Sequence, residues 1–580
     1  RGYEMRHPIS LKKRLLTLLV AVGFLLGSVF AAGAESSAAA SRLKVTPTKK
    51  TIYVGKATTL KANKKVRWSV YKGKKYVKIV SKSKYAKKIT VKGLKNGTSY
   101  IKAKYGKKIK KVKITVKKKT VASNVPTKIT LAATQNSIGV GDHCSVYVKS
   151  VSPSTASKAV TYSSSNEKVA TVSRSGLVSG VKDGTVTITA TSTKNNARKA
   201  TIKITVLKTL RGTVKLTASL STEEKCPKGK VARLWIPVPE TDANGSQTVS
   251  PSSIKYTAEH ATEAKIMTDS AGNKALYVEW DENADPKDRT VDFSFNVVRR
   301  EIIRPANMQA LEKGTVDKEK MAPYLKETKR SGSLSSGIIK ETADKIVKDA
   351  HATTVYKKAY AIYDWICENL RRDNSTPAIG SGDVQYILKN TDKGIGKCTD
   401  VNAVFVALCR AEGIPARSVY GLKLNAMIDN PNTPYVQKCK PQYYLPGYGW
   451  AEADVSALLK LPDIMGHEDD YRGKNVSAEK AQIWKSLKDE YWGSADDHWM
   501  MLSAGGDITL SPKQDETTAA DAVLNPDGSV KNYGVLNDDG TLHYFIYPYA
   551  EYDGHYLKNY GTTEFDYKYS FEEGNDDCGC

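Results

Sequence analysis

Cys398 is the residue best placed to do chemistry. It lies in GIGKCTDVNAVFVALCRAEGIPARSVYG (394–421), which reads as a loop, a buried helix and the entry to a strand. Val401, Val404, Phe405 and Leu408 follow the i, i+3, i+4, i+7 spacing of a helix face. Val406, Ala407 and Cys409 extend the apolar surface, so this helix is buried on most sides. Gly413 suits the position just past a helix and Pro415 forbids continuation, so the helix stops near Glu412. The thiol then sits at a helix N-terminus, where unpaired N–H groups and the positive end of the macrodipole favour a thiolate. A thiolate can attack an acyl carbon. A cysteine is also a small hydrophobe that packs, and the local pattern leaves both roles open.

The elements around it must hold this helix start. Upstream, the period is helical over Ala343–Ala350 and Val355–Arg371, where Ala359, Ile362, Tyr363, Ile366 and Leu370 form one face. Trp365 and Cys367 nearby read as core. A linker from Arg372 to Gly382 leads to the cysteine loop. Downstream, Tyr435–Tyr444 and Gly449–Ala453 flank a turn at Pro446-Gly447-Tyr448 and predict a hairpin with Asp454 at its end. Gly506–Pro512 and Thr541–Tyr549 read as later strands, with turn signals at Asn525-Pro526-Asp527-Gly528 and Asn537-Asp538-Asp539-Gly540 between them.

The N-terminal half is different. Residues 41–120 and 124–208 repeat one unit: Gly55 and Gly97 lie 42 residues apart, Gly141 and Gly184 lie 43 apart, and each pair brackets short alternating strands. Such strands between Gly-rich turns predict small β-sandwiches. The pair resembles group 2 bacterial immunoglobulin-like domains, most closely in SSSNEKVATVSRSGLVSGVKDGTVTITATS of the second copy. That resemblance implies a spacer or adhesive stalk. Residues 209–305 predict a further β-sandwich, from RLWIPVP (233–239), ALYVEW (275–280) and TVDFSFNVV (290–298).

Charge divides the chain in the same way. The 580 residues carry a formal +30, and residues 41–120 hold 29 Lys plus Arg with no Asp or Glu. One module therefore supplies nearly all the excess. Such a field attracts polyanions, and for an exported protein anionic cell-wall polymers or an anionic envelope surface fit better than nucleic acid. Export is expected because Lys12, Lys13 and Arg14 precede an apolar run ending in Ala32-Gly33-Ala34, a signal-peptide pattern over 1–34. No later run spans a bilayer, so no transmembrane segment is expected after cleavage, and the protein is expected to be secreted or wall-associated. The eight scattered cysteines do not form a disulfide framework, and the terminal Cys578-Gly579-Cys580 reads as a frayed tail. No metal set, phosphate loop or nucleotide fingerprint is present, so no cofactor and no metal are expected.

The C-terminal half resembles the transglutaminase-like superfamily. The resemblance rests on Gly396-Lys397-Cys398-Thr399-Asp400, on Arg410-Ala411-Glu412-Gly413-Ile414-Pro415-Ala416-Arg417, and on Gly447-Tyr448-Gly449-Trp450 followed by Asp454. It runs from about residue 209 to 557 and is closest to an exported bacterial subgroup with an N-terminal β-domain. It implies a multidomain protein: all-β immunoglobulin-like sandwiches, a β-sandwich, then an α+β papain-type domain over 336–557 with a C-terminal β extension and a tail over 558–580. It also implies Cys, His and Asp acting in that chain order, with Cys398 as nucleophile on a peptide or protein substrate and Asp454 as the carboxylate that orients the base.

The family's histidine position holds Lys438, and no histidine lies between Cys398 and Asp454. Pro441 follows on the same strand, where it removes a ladder donor. Three readings follow: catalysis is impaired and the fold serves binding; Lys438 stands in as base, which its ordinary pKa near 10.4 disfavours; or a later histidine, His467, His498, His543 or His555, folds back. The first makes the protein an envelope-binding protein at the cell wall. The others make it an active cysteine acyl-transfer enzyme, a peptidase or cross-linker, with a non-standard base.

Overall fold

The computed structural model describes residues 42–118, 124–372, 380–391, 396–434, 436–461, 471, 476–517, 523–524, 530–532, 534–560 and 563–574. The expected signal peptide, His467, the Asn525-Pro526-Asp527-Gly528 turn and Cys578-Gly579-Cys580 lie outside the described residues. The chain forms two compact units, residues 1–123 and 124–580.

In the first unit, seven strands form one hydrogen-bonded sheet. The 16-residue strand Ala57–Lys72 slips register between Lys61 and Val66. It pairs with Tyr85–Gly93 across that slip and with Gly97–Tyr105 beyond it. A bulge of this kind bends a strand, and the ladder folds over a core of Leu60, Val66, Trp68, Ile89, Ile101, Val112 and Ile114. Alternation turns the lysines outward: in Lys108–Lys117, Val112, Ile114 and Val116 are buried while Lys110, Lys111, Lys113 and Lys117 are exposed.

The second unit opens with a sandwich of two four-stranded sheets. It repeats the first module's layout. Lys49–Tyr53 runs parallel to Lys108–Lys117, as Ser137–Gly139 does to Asn195–Leu207. Gly55 and Gly141 share a positive φ (84° and 81°), as do Gly97 and Gly184 (150° and 143°). The turns that marked the repeat in sequence are thus positions that favour glycine. Asp142 of this module binds Arg211 and Arg300 of the next, each at 2.7 Å.

The following sandwich has two five-stranded sheets, and it corrects the expected domain ends. Asp566–Glu573, expected as tail, pairs with Thr209–Ser219 along eight residues. Its apolar residues Tyr569 and Phe571 fill the same core as Val214 and Leu216. Tyr549–Tyr552, expected to extend the C-terminal domain, pairs instead with Ala232–Val238. The chain's end therefore returns to close the sandwich that precedes the helical region.

That region packs helices Gly337–Asp349, Val355–Asn369 and Val384–Lys389 around the helix Cys398–Ala411. Beside it lies an antiparallel sheet in the order Gly449–Glu452, Gln437–Leu445, Ala416–Lys423, Trp499–Ala504. Val401, Val404, Phe405 and Leu408 are fully buried, as the periodicity predicts. Glu412 caps the helix and Gly413 takes a φ of 71°. The expected strands Gly506–Pro512 and Thr541–Tyr549 are not ladders; a single bridge joins Ile508 to Leu542. There Tyr544, Phe545, Ile546 and Tyr547 are buried consecutively, so side-chain packing rather than alternation holds the segment. Among the described residues, no helix is long and apolar enough to cross a membrane.

Candidate functional site

Cys398 is the first residue of its helix, and a buried carboxylate fixes the loops around it. Asp400, in the first turn, accepts the Lys397 N–H at 3.0 Å, the Gly382 N–H at 2.7 Å and the Ser381 hydroxyl at 3.1 Å. This joins the loop ending at Gly382 to the loop ending at Lys397. Both loops need glycine: a Cβ on Gly380 or Gly396 would lie 1.9 Å from Asp400 Oδ2, and both have positive φ (114° and 69°). Burial pushes the Asp400 carboxyl up to about 6, against the pull of these donors.

The strand Gln437–Leu445 delivers the remaining groups, and its two faces do different work. Lys438 and Lys440 share one face. Lys438 Nζ donates to Asp454 Oδ2 at 2.7 Å, and Lys440 Nζ lies 3.5 Å from the same oxygen. Asp454 Oδ1 accepts from Ser456 Oγ at 3.4 Å and the Ala457 N–H at 3.1 Å. Both carboxylate oxygens of Asp454 are therefore engaged. Burial would raise this carboxyl, but the two ammonium groups outweigh it and hold it below the ordinary range. Burial would likewise depress Lys438, and Asp454 outweighs that, so Lys438 stays protonated at neutral pH.

Cys439 faces the other way, towards Cys398. The Tyr444 N–H donates to Pro415 O at the entry of the neighbouring strand Ala416–Lys423, so every second N–H back from it points to that side and the N–H of Cys439 points away from it. The hairpin ladder ends at the pair Gln442–Glu452, which leaves this N–H free to reach the Cys398 sulfur. Asn402 Nδ2 donates to Cys439 Sγ at 3.2 Å and Thr399 Oγ1 lies 3.9 Å from it, so Cys439 sits against the first turn of the Cys398 helix. Pro441 sits one step beyond the last hairpin pair, where its carbonyl accepts the Ala453 N–H at 3.3 Å and its ring nitrogen forgoes one bond at the end of the ladder.

These contacts set the nucleophile's charge. The Cys398 thiol is lowered to about 6, first by the hydrogen bond from Cys439, with burial opposing and the charges of Arg372 and Lys438 assisting. The other buried cysteines go the opposite way: burial lifts Cys226 to about 11 and raises Cys367 further.

Among the described residues, the later histidines do not supply the missing base. The groups that act most strongly on the Cys398 sulfur are Cys439, Arg372 and Lys438. His498 pairs with Asp497 at 2.9 Å, and His555 faces Glu516 at 3.6 Å. His543 is buried behind the helix against Gly382, with no hydrogen-bond partner on either ring nitrogen among the described residues. Burial and Arg330 keep it neutral.

The structure thus groups Cys398, Lys438 and Asp454, the three residues taken from the sequence. It adds Cys439, Lys440, Asp400 and Arg372. Strand alternation was the available signal for two of these: once Lys438 faces the carboxylate, Lys440 must share its face and Cys439 must oppose it.

Residues 340–455 match the family model of the transglutaminase-like superfamily, and residues 127–204 match that of the group 2 bacterial Ig-like domain. An uncharacterized protein of Haemophilus influenzae is 30% identical over 367 residues, which are 59% of this chain and 87% of that protein. Among solved structures, a candidate cysteine protease from Cytophaga hutchinsonii is 17% identical over 63% of this chain and 97% of its own, with a TM-score of 0.31. The periplasmic domain of TgpA from Pseudomonas aeruginosa, bound to ethylmercury, is 15% identical over 44% of this chain and 93% of its own, with a TM-score of 0.24.

Proposed function

Residues 340–455 belong to the transglutaminase-like superfamily, and from that premise we propose that the chain is an envelope protein whose transglutaminase-like domain is impaired in acyl transfer and serves binding at the cell wall. One observation carries this reading: the position that should hold an imidazole holds Lys438, locked onto Asp454 at 2.7 Å. Acyl transfer needs a group that gives a proton to the leaving amine and then takes one from the incoming nucleophile near neutral pH. A protonated lysine paired with a carboxylate and flanked by a second lysine cannot take that proton.

The rest of the chain supports a binding role. The Lys-rich module presents its charge outward from a closed core, as a surface for anionic wall polymers would. The group 2 immunoglobulin-like module fits an extracytoplasmic stalk. The retained thiolate gives the domain a contact point for a peptide or protein ligand at Cys398.

Turnover of peptide amides, and transfer of glutamine peptides to an added amine, tests the proposal. The protein and its Cys398→Ala variant are expected to give equal rates, and Lys438→His is expected to raise the rate. Turnover by the unaltered protein that Cys398→Ala abolishes would overturn it.

A second reading has its own observation in favour. Lys438 is a cation beside a thiolate, so it could protonate a leaving amine. In that case Lys438→Gln would abolish a Cys398-dependent turnover that the unaltered protein already shows.

A further inference from the structure

We propose that Cys398 and Cys439 form a reversible dithiol–disulfide couple, a modification site that switches the thiol at the helix start between free and closed. This rests on the reading of Cys398 as a thiolate and goes beyond it. The argument begins with placement. The two sulfurs come from different elements, the start of the helix Cys398–Ala411 and the strand Gln437–Leu445. The Cys439 sulfur is seated against the first turn of that helix by Asn402 and Thr399, and both cysteines belong to one packed cluster.

The contact is built from several sides. Asn402 donates to the Cys439 sulfur at 3.2 Å, and Thr399 Oγ1 lies 3.9 Å from it. The Cys439 backbone N–H fixes the strand against Cys398 from the same side. Both cysteines belong to the packed cluster that also holds Tyr420, Tyr544 and Tyr547. The two thiols also differ in the way an exchange pair requires. Cys398 is partly exposed and can meet a reagent, whereas Cys439 is 3% exposed and shielded from one. An accessible, ionised thiol with a buried resolving partner is the arrangement that turns a first oxidation into an internal disulfide.

The chemistry balances with a small-molecule disulfide as the oxidant. The Cys398 thiolate attacks one sulfur of RSSR, forms a mixed disulfide and releases RS⁻. Cys439 then loses its proton and attacks the Cys398 sulfur. The Cys398–Cys439 bond forms, the mixed disulfide breaks, and the second RS⁻ leaves with that proton. Two electrons pass from the protein to RSSR, which becomes one thiolate and one thiol. Closure needs the sulfurs to approach from contact to about 2.05 Å. Outside the cytoplasm, where this protein is placed by the proposal above, such disulfides persist.

The test uses the full-length protein, treated with oxidised glutathione and then quenched with acid. Peptide mapping is expected to find a peptide joining Cys398 to Cys439. Iodoacetamide labelling of Cys398 is expected to fall at least tenfold and to return with dithiothreitol. Cys439→Ser is expected to stop at the glutathione mixed disulfide on Cys398, and Cys439→Ala checks the same outcome without a hydroxyl. A mixed disulfide that persists on Cys398 in the unaltered protein, or a Cys398 that stays free, would overturn the couple. The readout is thiol state, not turnover. An active enzyme would sink the function proposed above without touching this inference, and an open dithiol would do the reverse.

Discussion

Lys438 and Asp454 form an ion pair at 2.7 Å at the start of the strand that faces the cysteine helix. Lys440 lies 3.5 Å from the same carboxylate oxygen, so Asp454 answers two cations. Asp496, held by the His498 N–H at 3.0 Å and lowered despite burial by these same lysines, completes the local set of opposite charges. The carboxylate that would orient an imidazole is thereby committed to charge balance, and the thiol it would serve is ionised by other groups.

That separation predicts an unusual thiol. Alkylation of Cys398 by iodoacetamide should rise with pH, reach half its maximum near pH 6 and stay flat above pH 8, because only the thiolate reacts. Cys226, lifted to about 11 by burial, should remain unlabelled across that range. Cys439→Ala should move the Cys398 midpoint upward, since the largest contribution to its depression is the Cys439 thiol. Equal labelling of Cys398 and Cys226 at pH 7 would contradict this.

Removing Asp454 alone should cost more than removing it together with Lys438. Asp454→Ala leaves two lysines facing each other, Lys440 being 1% exposed, and should destabilise the fold by about 3 kcal/mol in urea denaturation. Lys438 is 23% exposed on its side chain, so Lys438→Met alone should cost roughly 1 kcal/mol or less. The double variant should recover part of the Asp454→Ala loss. Strict additivity of the two changes would show that the pair is not coupled.

The cysteine loop should be intolerant of a single methyl group. Gly396→Ala puts a Cβ 1.9 Å from Asp400 Oδ2 at a φ of 69°. The strain of that backbone region alone is about 1–3 kcal/mol, and the displaced carboxylate adds to it. Lower thermal stability should come with slower Cys398 alkylation, because the helix start loses its anchor. An unchanged alkylation rate would mean that Asp400 does not position the thiol.

The Lys-rich module should bind by charge. Raising salt from ~0.1 M to ~1 M shortens the screening length from about 10 Å to about 3 Å, so retention on isolated anionic wall polymer should collapse over that range. Deleting residues 41–120 should abolish retention at low salt. Equal retention after the deletion would place the binding elsewhere.

Much of this was legible in the sequence, and the gaps have physical causes. The helix of Val401, Val404, Phe405 and Leu408 could be read because its burial follows a local period. The Cys398–Lys438–Asp454 grouping could be read because the family's spacing survives although one residue type has changed. The return of Asp566–Glu573 to Thr209–Ser219 could not, because pairing across some 350 residues leaves no local mark. The role of Asp400 was equally hidden: its partners are backbone N–H groups, which any sequence supplies. Cys439 was visible as a residue but not as a partner, since which face of a strand meets a helix is a tertiary fact.

The most direct test of the central claim, an ionised thiol without a working base, is the fate of an acyl group placed on Cys398. With p-nitrophenyl acetate, whose leaving group needs no proton, the protein should release a burst of one equivalent of nitrophenolate. Intact mass and peptide mapping should then show a single acetyl group on Cys398, with steady-state turnover no faster than in Cys398→Ala. Sustained turnover with no acyl group accumulating on Cys398 would contradict the account, because it would require the base that the Lys438–Asp454 pair is held to have replaced.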